Sequence, residues 1–397
     1  MKKNYNEDEY YEAICNNPAE RIVIYGAGKY GGLLNDWCTE RSIKIDSFCV
    51  SDASNNYSNI KGIRVRSIDD IVNEKISTLF LIAIKNSDYI ELELEARSEY
   101  NYLPFSNWMI MLNKWARKRY ESPIIEVTPT IGCRINCKYC PQGMLLSSYN
   151  IISDKKEMTL EDYIFFVEKL PNNVLIDYSG FVEPFLNKQS IEMMEYTASM
   201  GLEMALYTTL ENVDFNLVGR ILKIPFREVV LHLPDEERYS KITIDATYKK
   251  ILEILVNAKK EDGSPYIDSA NCHGHLHHEI ESIITGKVLL KGKMMDRAGN
   301  IANEKNDLCS NSILQGAIRC SRSKLLNHNV LLPDGTIVLC CNDYGMRHVL
   351  GNLRDSTYEE IMNSSTVMDI YDQMNQSKYD NLLCRNCIYA EVVNDLK

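Results

Sequence analysis

The chain has 397 residues, 45% of them hydrophobic and 25% charged, the make-up of a globular protein of two or three domains. A net charge of −11 argues against nucleic acid as the main partner, because phosphate binding needs a basic face. The longest apolar run, residues 79–84, is far too short to cross a membrane, and the charged first residues 1–11 lack an apolar signal region, so no membrane span and a cytoplasmic location are expected.

Residues 1–115 read as a small α/β unit, with strands predicted at 21–25, 43–50 and 78–84 and a helix at 29–39. Gly26-Ala27-Gly28-Lys29-Tyr30-Gly31 follows the first strand and opens the helix, as in a dinucleotide-binding turn. Asp46 falls inside the second strand, and Asp52 is the better-placed acid for a ribose. A second nucleotide-binding half is missing, which disfavours NAD. The region resembles small Rossmann-like domains attached to sugar acyltransferases and other glycan-modifying enzymes, which implies a nucleotide-linked sugar or a docking role. A linker rich in Lys, Arg and Trp follows at 108–120, and its basic run 114–119 reads as a solvated face.

Residues 116–305 alternate strands (124–128, 174–178, 203–208, 228–232, 266–270) with helices (160–170, 190–200, 248–258). Repeated β-then-α units imply a parallel sheet closing into a full or partial barrel. Cys133, Cys137 and Cys140 fall in a C-x3-C-x2-C spacing just after the first of these strands. In a reducing compartment such a cluster points to metal binding, not to disulfides. Three thiolates on a four-iron cluster leave one iron open for a ligand. The rival is a zinc knuckle, but no fourth ligand stands close by; the nearest histidine is His232.

The run Gly132-Cys133-x3-Cys137-x-Tyr139-Cys140-Pro141 resembles the signature of the radical SAM superfamily. The resemblance implies a partial (β/α)6 barrel whose open iron is chelated by S-adenosylmethionine and whose reduced cluster cleaves it to a 5′-deoxyadenosyl radical. It implies Tyr139 against the adenine and an electron donor such as flavodoxin or ferredoxin. Ser179-Gly180-Phe181-Val182-Glu183-Pro184 is similar to the family's Gly-Gly-Glu-Pro segment, with Phe-Val where a second glycine often stands. That likeness implies that the Gly180 backbone and the Glu183 acid hold the methionyl ammonium; the bland alternative is a Glu capping a proline turn. Thr208, Thr209 and His232 end the third and fourth strands, where barrel sites gather. Asp296-Arg297-Ala298-Gly299-Asn300 looks like a run near the end of related cores, and implies Arg297 facing a cofactor carboxylate or substrate oxygen. Cys272-His273-Gly274-His275-x-His277-His278 holds four of the seven histidines; a polar loop is the preferred reading over a metal site. Cys272, near the end of the fifth strand, is a candidate hydrogen-atom donor.

Residues 306–397 hold six of the 13 cysteines in a turn-rich tail. Cys320, Cys340, Cys384 and Cys387, with Pro333-Asp334-Gly335 and Leu350-Gly351-Asn352-Leu353, resemble a shortened SPASM, or twitch, domain. The resemblance implies one auxiliary four-iron cluster on these four thiolates, hence two clusters in all. Structural zinc on the same residues is the alternative. Cys309 and Cys341 lack the spacing for a further cluster, and Cys341 reads as a spare thiol. Cys15, Cys38 and Cys49 read as small apolar residues.

Two substrate classes compete: a sugar, polyol or nucleotide-linked sugar, and a ribosomal peptide. The N-terminal α/β unit, in place of a leader-binding module, favours the first. Oxidation of an alcohol carbon is the expected outcome, with epimerisation through Cys272 and dehydration as alternatives.

Overall fold

The computed structural model describes residues 6–51, 59–84, 90–91, 94, 101–104, 111–112, 115, 122–260, 262–292, 294–301, 313–376 and 381–393. Asp52, Cys309 and most of the linker 108–120 lie outside the described residues. Two compact units are present: Met1–Ser122 with Met200–Leu202, and Pro123–Ser199 with Glu203–Lys397.

In the first unit, β1 (Arg21–Tyr25), β2 (Ser47–Val50), β3 (Asn59–Ile60), β4 (Ile63–Ser67), β5 (Thr78–Ile82) and β6 (Asn101–Leu103) form a sheet in the order β3-β4-β2-β1-β5-β6. All its pairs are parallel except β3 with β4. The expected second strand is shorter than its apolar run. Ile43 and Ile45 are buried without joining the sheet, and Asp46 stands just before β2, not inside it. The glycine turn has the three roles its spacing predicts. Gly26 has a φ of 127°, a side chain on Gly28 would meet open space, and a Cβ on Gly31 would lie 1.9 Å from the Gly26 carbonyl oxygen.

The second unit is built on a parallel run, β7 (Ile124–Val127), β8 (Leu175–Tyr178), β9 (Met204–Thr208), β10 (Glu228–His232), β11 (Ser269–Asn271) and β12 (Leu290–Lys291), in sequential order. Helices fill the connections, as a parallel sheet requires. The helix Leu160–Val167, for example, starts at a capping box made by Thr159 and Asp162 and buries Tyr163, Phe166 and Val167. These six strands make up the parallel part of a nine-stranded sheet.

The tail adds to this same sheet. β13 (Ile318–Cys320) pairs antiparallel with β17 (Ala390–Val392) in a separate ribbon. β14 (His328–Leu331), β15 (Thr336–Val338) and β16 (Val349–Asn352) extend the core sheet, with β14 parallel to β7 and the hairpin β14–β15–β16 antiparallel beyond it. The hairpin turn is the expected Pro333-Asp334-Gly335, where Gly335 has a φ of 95° and the Asp334 side chain accepts from the backbone and hydroxyl of Thr336. Among the described residues no helix is long and apolar enough to cross a membrane.

Candidate active site and its two cysteine clusters

The loop after β7 carries the first cluster. Gly132 and Asn136 adopt left-handed backbone (φ 97° and 49°), which turns the chain so that three thiols face one side. Cys133, Cys137 and Cys140 all line a cavity of about 760 Å³, the size of a pocket for a cofactor and a small substrate. Burial pushes the Cys133 thiol up and the Cys137 thiol to about 12. Gln142 Nε2 donates to Cys140 Sγ at 3.3 Å, and the Tyr344 hydroxyl lies 3.3 Å from the same sulfur.

Tyr139 is buried, with its ring edge-on to His273 at 4.2 Å between centroids. Gly180 follows β8 with a φ of 45°, and a Cβ there would fall 2.2 Å from Thr128 Oγ1. Glu183 lines the cavity and also caps the short turn Pro184–Leu186. Its Oε1 accepts from Thr208 Oγ1 at 2.8 Å and from the Phe185 amide at 3.3 Å, while Oε2 accepts from the Thr209 amide and hydroxyl, both at 2.6 Å. Burial raises its pKa against these four hydrogen bonds. A carboxylate has about four acceptor sites, so the chain itself takes up most of this one. Thr209 also lines the cavity; Thr208 lies behind Glu183 and does not.

His232 ends β10 at the cavity and is held down to about 4 by burial, His273 and Arg297, so its imidazole is neutral at pH 7. Arg297 lines the cavity from a turn in which Arg297, Ala298 and Gly299 have φ of 52°, 57° and 81°. Burial opposes its charge, but Tyr344, Cys341, Cys140 and Glu126 hold its pKa above the usual value.

Cys272 is placed differently. Asn271 and His273 face the cavity, and Cys272, between them, does not. Its thiol is 3.3 Å from the Gly274 carbonyl oxygen. Of the histidines after it, His275 bonds Glu237, His278 bonds Glu236, and His277 caps the helix His278–Ile284. Sequence reasoning passed over Glu126, Asp177, Tyr207, Arg322 and Tyr389, which also line the cavity. For Glu126 and Asp177 a signal existed: each is an acid inside a short, almost wholly apolar strand.

The tail brings the second cluster together. Antiparallel pairing of β13 with β17 sets Cys320 opposite Ala390, close to the turn Leu383–Asn386 that carries Cys384 and leads to Cys387. Cys340 arrives at the end of the β14–β15 hairpin, and all four line a second cavity. Burial drives Cys340 well up and Cys384 to about 12. A bound metal would displace these protons and take up the thiolate charge. Neither set brings three ligand atoms within 4.8 Å of one another. Zinc bonds of 2.3 Å at tetrahedral angles bring sulfurs to about 3.8 Å of one another. Among the described residues, the only trio of His, Cys, Asp or Glu with ligand atoms within 4.8 Å is the exposed Glu236, His277 and His278.

Residues 320–388 match SPASM, described as an iron-sulfur cluster-binding domain. The tail is thus similar to that domain. The C-x3-C-x2-C loop follows the first strand of the parallel run, the place that the radical SAM resemblance implies for it. Solved structures with similarity include BtrN in complex with AdoMet and 2-DOIA (14% identity, 64% of this chain and 88% of that one, TM-score 0.42). Streptococcus suis SuiB bound to precursor peptide SuiA matches at 12% identity over 89% of this chain and 80% of that one, TM-score 0.46. Native anSMEcpe with bound AdoMet matches at 13% identity over 66% of this chain and 88% of that one, TM-score 0.40. No curated protein matches the sequence.

Proposed function

We propose that this enzyme oxidises an alcohol carbon of a sugar, polyol or nucleotide-linked sugar. The observation that carries the reading is a shared wall: Arg322, Cys341 and Tyr389 line both the large cavity and the four-cysteine cavity of the tail. Substrate in the large cavity is thus one layer of side chains from the tail's redox centre. When bound, the central cluster with S-adenosylmethionine supplies a hydrogen-abstracting radical, and the tail cluster supplies a one-electron acceptor. Cys133, Cys137 and Cys140 would hold the first; Cys320, Cys340, Cys384 and Cys387 would hold the second. The Gly180 turn would hold the cofactor's methionyl end, Tyr139 and His273 would offer an aromatic wall to its adenine, and Arg297 would offer a cation to its carboxylate. The neutral His232 accepts or donates a hydrogen bond at the cavity rim.

A second reading is epimerisation, favoured by the Cys341 thiol, which reaches the cavity wall where Cys272 does not. Product mass in deuterated water separates the two. Oxidation gives a product two mass units lighter with no solvent deuterium at carbon. A product of unchanged oxidation level carrying one deuterium, lost in Cys341→Ala while S-adenosylmethionine cleavage persists, would replace oxidation by epimerisation. A mass change on an encoded peptide, with none on any sugar or polyol, would reverse the substrate class.

A further inference from the structure

Glu126, Asp177 and Tyr207 project from neighbouring strands β7, β8 and β9 into the large cavity, and Arg322 meets them from the tail. Three of these four are occupied. Glu126 is ion-paired with Arg322 at 3.0 Å, and His328 Nε2 lies 2.8 Å from the same carboxylate oxygen. The Tyr207 hydroxyl donates to Glu228 at 3.2 Å. Arg322 reaches both Glu126 and, at 3.1 Å, the Cys341 sulfur.

Asp177 is the exception. It is only 5% exposed, and its Oδ1 has no hydrogen-bond partner. Buried polar atoms are nearly always hydrogen-bonded, so an unpaired one in a cavity wall points to a ligand that completes it. Ser179 Oγ and His273 Nδ1 line the same cavity unpaired. Ser179 precedes Gly180, and His273 packs on Tyr139, so both stand on the S-adenosylmethionine side. Asp177 is left for the substrate.

The surrounding charges narrow the group it takes. A substrate ammonium beside Asp177 would sit near Arg322, and a carboxylate would sit near ionised Glu126. A hydroxyl is neutral and donates the hydrogen bond that Oδ1 lacks.

We propose that Asp177 binds a hydroxyl of a polyhydroxylated ring and receives its proton as the carbon bearing it is oxidised. The inference rests on the alcohol-oxidation reading above. Its balance is complete: the C–H hydrogen atom leaves to the deoxyadenosyl radical, the O–H proton goes to the Asp177 carboxylate, one electron goes to a one-electron acceptor, and C=O forms.

The test uses reconstituted holoenzyme with S-adenosylmethionine and three probes: myo-inositol, methyl α-glucopyranoside and UDP-glucose. At least one should raise the wild-type melting temperature by mass action. Asp177→Ala should abolish that shift. Asp177→Asn keeps shape and a hydrogen bond, so it should keep the shift but lose oxidised product by roughly 100-fold or more, the usual worth of a positioned base. Should the Ala variant not fold, the Asn variant carries the test through product formation. Three results would overturn the assignment: no shift with any probe, an equal shift in Asp177→Ala, or wild-type turnover in Asp177→Asn. Reductive cleavage of S-adenosylmethionine, measured without any probe, judges the radical reading separately.

Discussion

Arg385 stands between Cys384 and Cys387 with its side chain wholly buried. Among the described residues no carboxylate pairs with it; its guanidinium donates to the carbonyl oxygens of Leu314, Gly316, Gln373 and Gln376. It therefore ties the approach to β13 and the end of the helix Ser365–Asn375 to the cysteine turn. Arg385→Leu takes the donor from four carbonyls, and a loss on the order of 3 kcal/mol is expected. Reconstituted protein should then fall from about eight irons to about four while central-cluster chemistry persists. Eight irons in the variant would contradict this. Two cavity residues should also give opposite pH signatures in the apoprotein. Burial and Glu126 push Asp177 up to about 7, with Glu228 adding to the rise and Arg227 and Arg322 opposing it. The native state then binds more protons than the unfolded one between about pH 4 and 7, so Asp177 costs stability as pH rises through that window. Asp177→Asn should therefore stabilise the fold at pH 8 by an amount on the order of 2 kcal/mol, seen as a higher melting temperature, and much less at pH 5. His232, held down to about 4, acts the other way. Its unfolded form binds the extra proton between about pH 4 and 6.5, so stability falls as pH drops through that range, and His232→Gln should flatten the fall. These roles were not legible beforehand. A cysteine cluster announces itself by spacing, whereas Arg385 and Asp177 acquire their meaning from carbonyls and cavity walls that only the tertiary fold supplies.

The turn after β8 shows how narrowly one element can be specified. Gly180 combines a left-handed backbone with Val127 and Thr128 so close that any Cβ would clash. Gly180→Ala must move either β7 or the turn, and both carry site residues. The expectation is loss of both S-adenosylmethionine binding and its cleavage, by isothermal titration and by 5′-deoxyadenosine yield; a variant with wild-type values would show that the turn is slack. Replacing Cys133, Cys137 and Cys140 together by Ala should abolish 5′-deoxyadenosine outright. At this scale much of the fold was readable. β7 to β10 fall within a residue of their expected bounds at each end, because a buried parallel strand is a short, nearly unbroken apolar run. The fifth strand was placed too early. Tyr266 and Ile267 are buried, but pairing starts only at Ser269. β12 escaped notice altogether, since two exposed residues carry no periodicity. Apolar runs report burial, and strand pairing is a separate event.

Over the second unit as a whole, the SPASM segment is more than an appended cluster carrier. β14 lies beside β7, the strand that leads into the first cysteine loop, and Tyr344 touches Cys140 and packs at 4.6 Å on Phe181. Truncation before β13 should therefore give insoluble protein. Cys384→Ser with Cys387→Ser should stay folded by circular dichroism and still cleave S-adenosylmethionine. A soluble, active truncation would show that the core closes without the tail. The order of synthesis gives this continuity one more consequence. The edge of β7 that pairs with β14 leaves the ribosome on the order of 200 residues before its partner, which at 5–20 residues per second is tens of seconds. For that interval the nascent chain carries an open strand edge beside three unmetallated thiols, a template for pairing with another chain. Yield of this enzyme in the cell should thus depend on what shields that edge until the last hundred residues emerge.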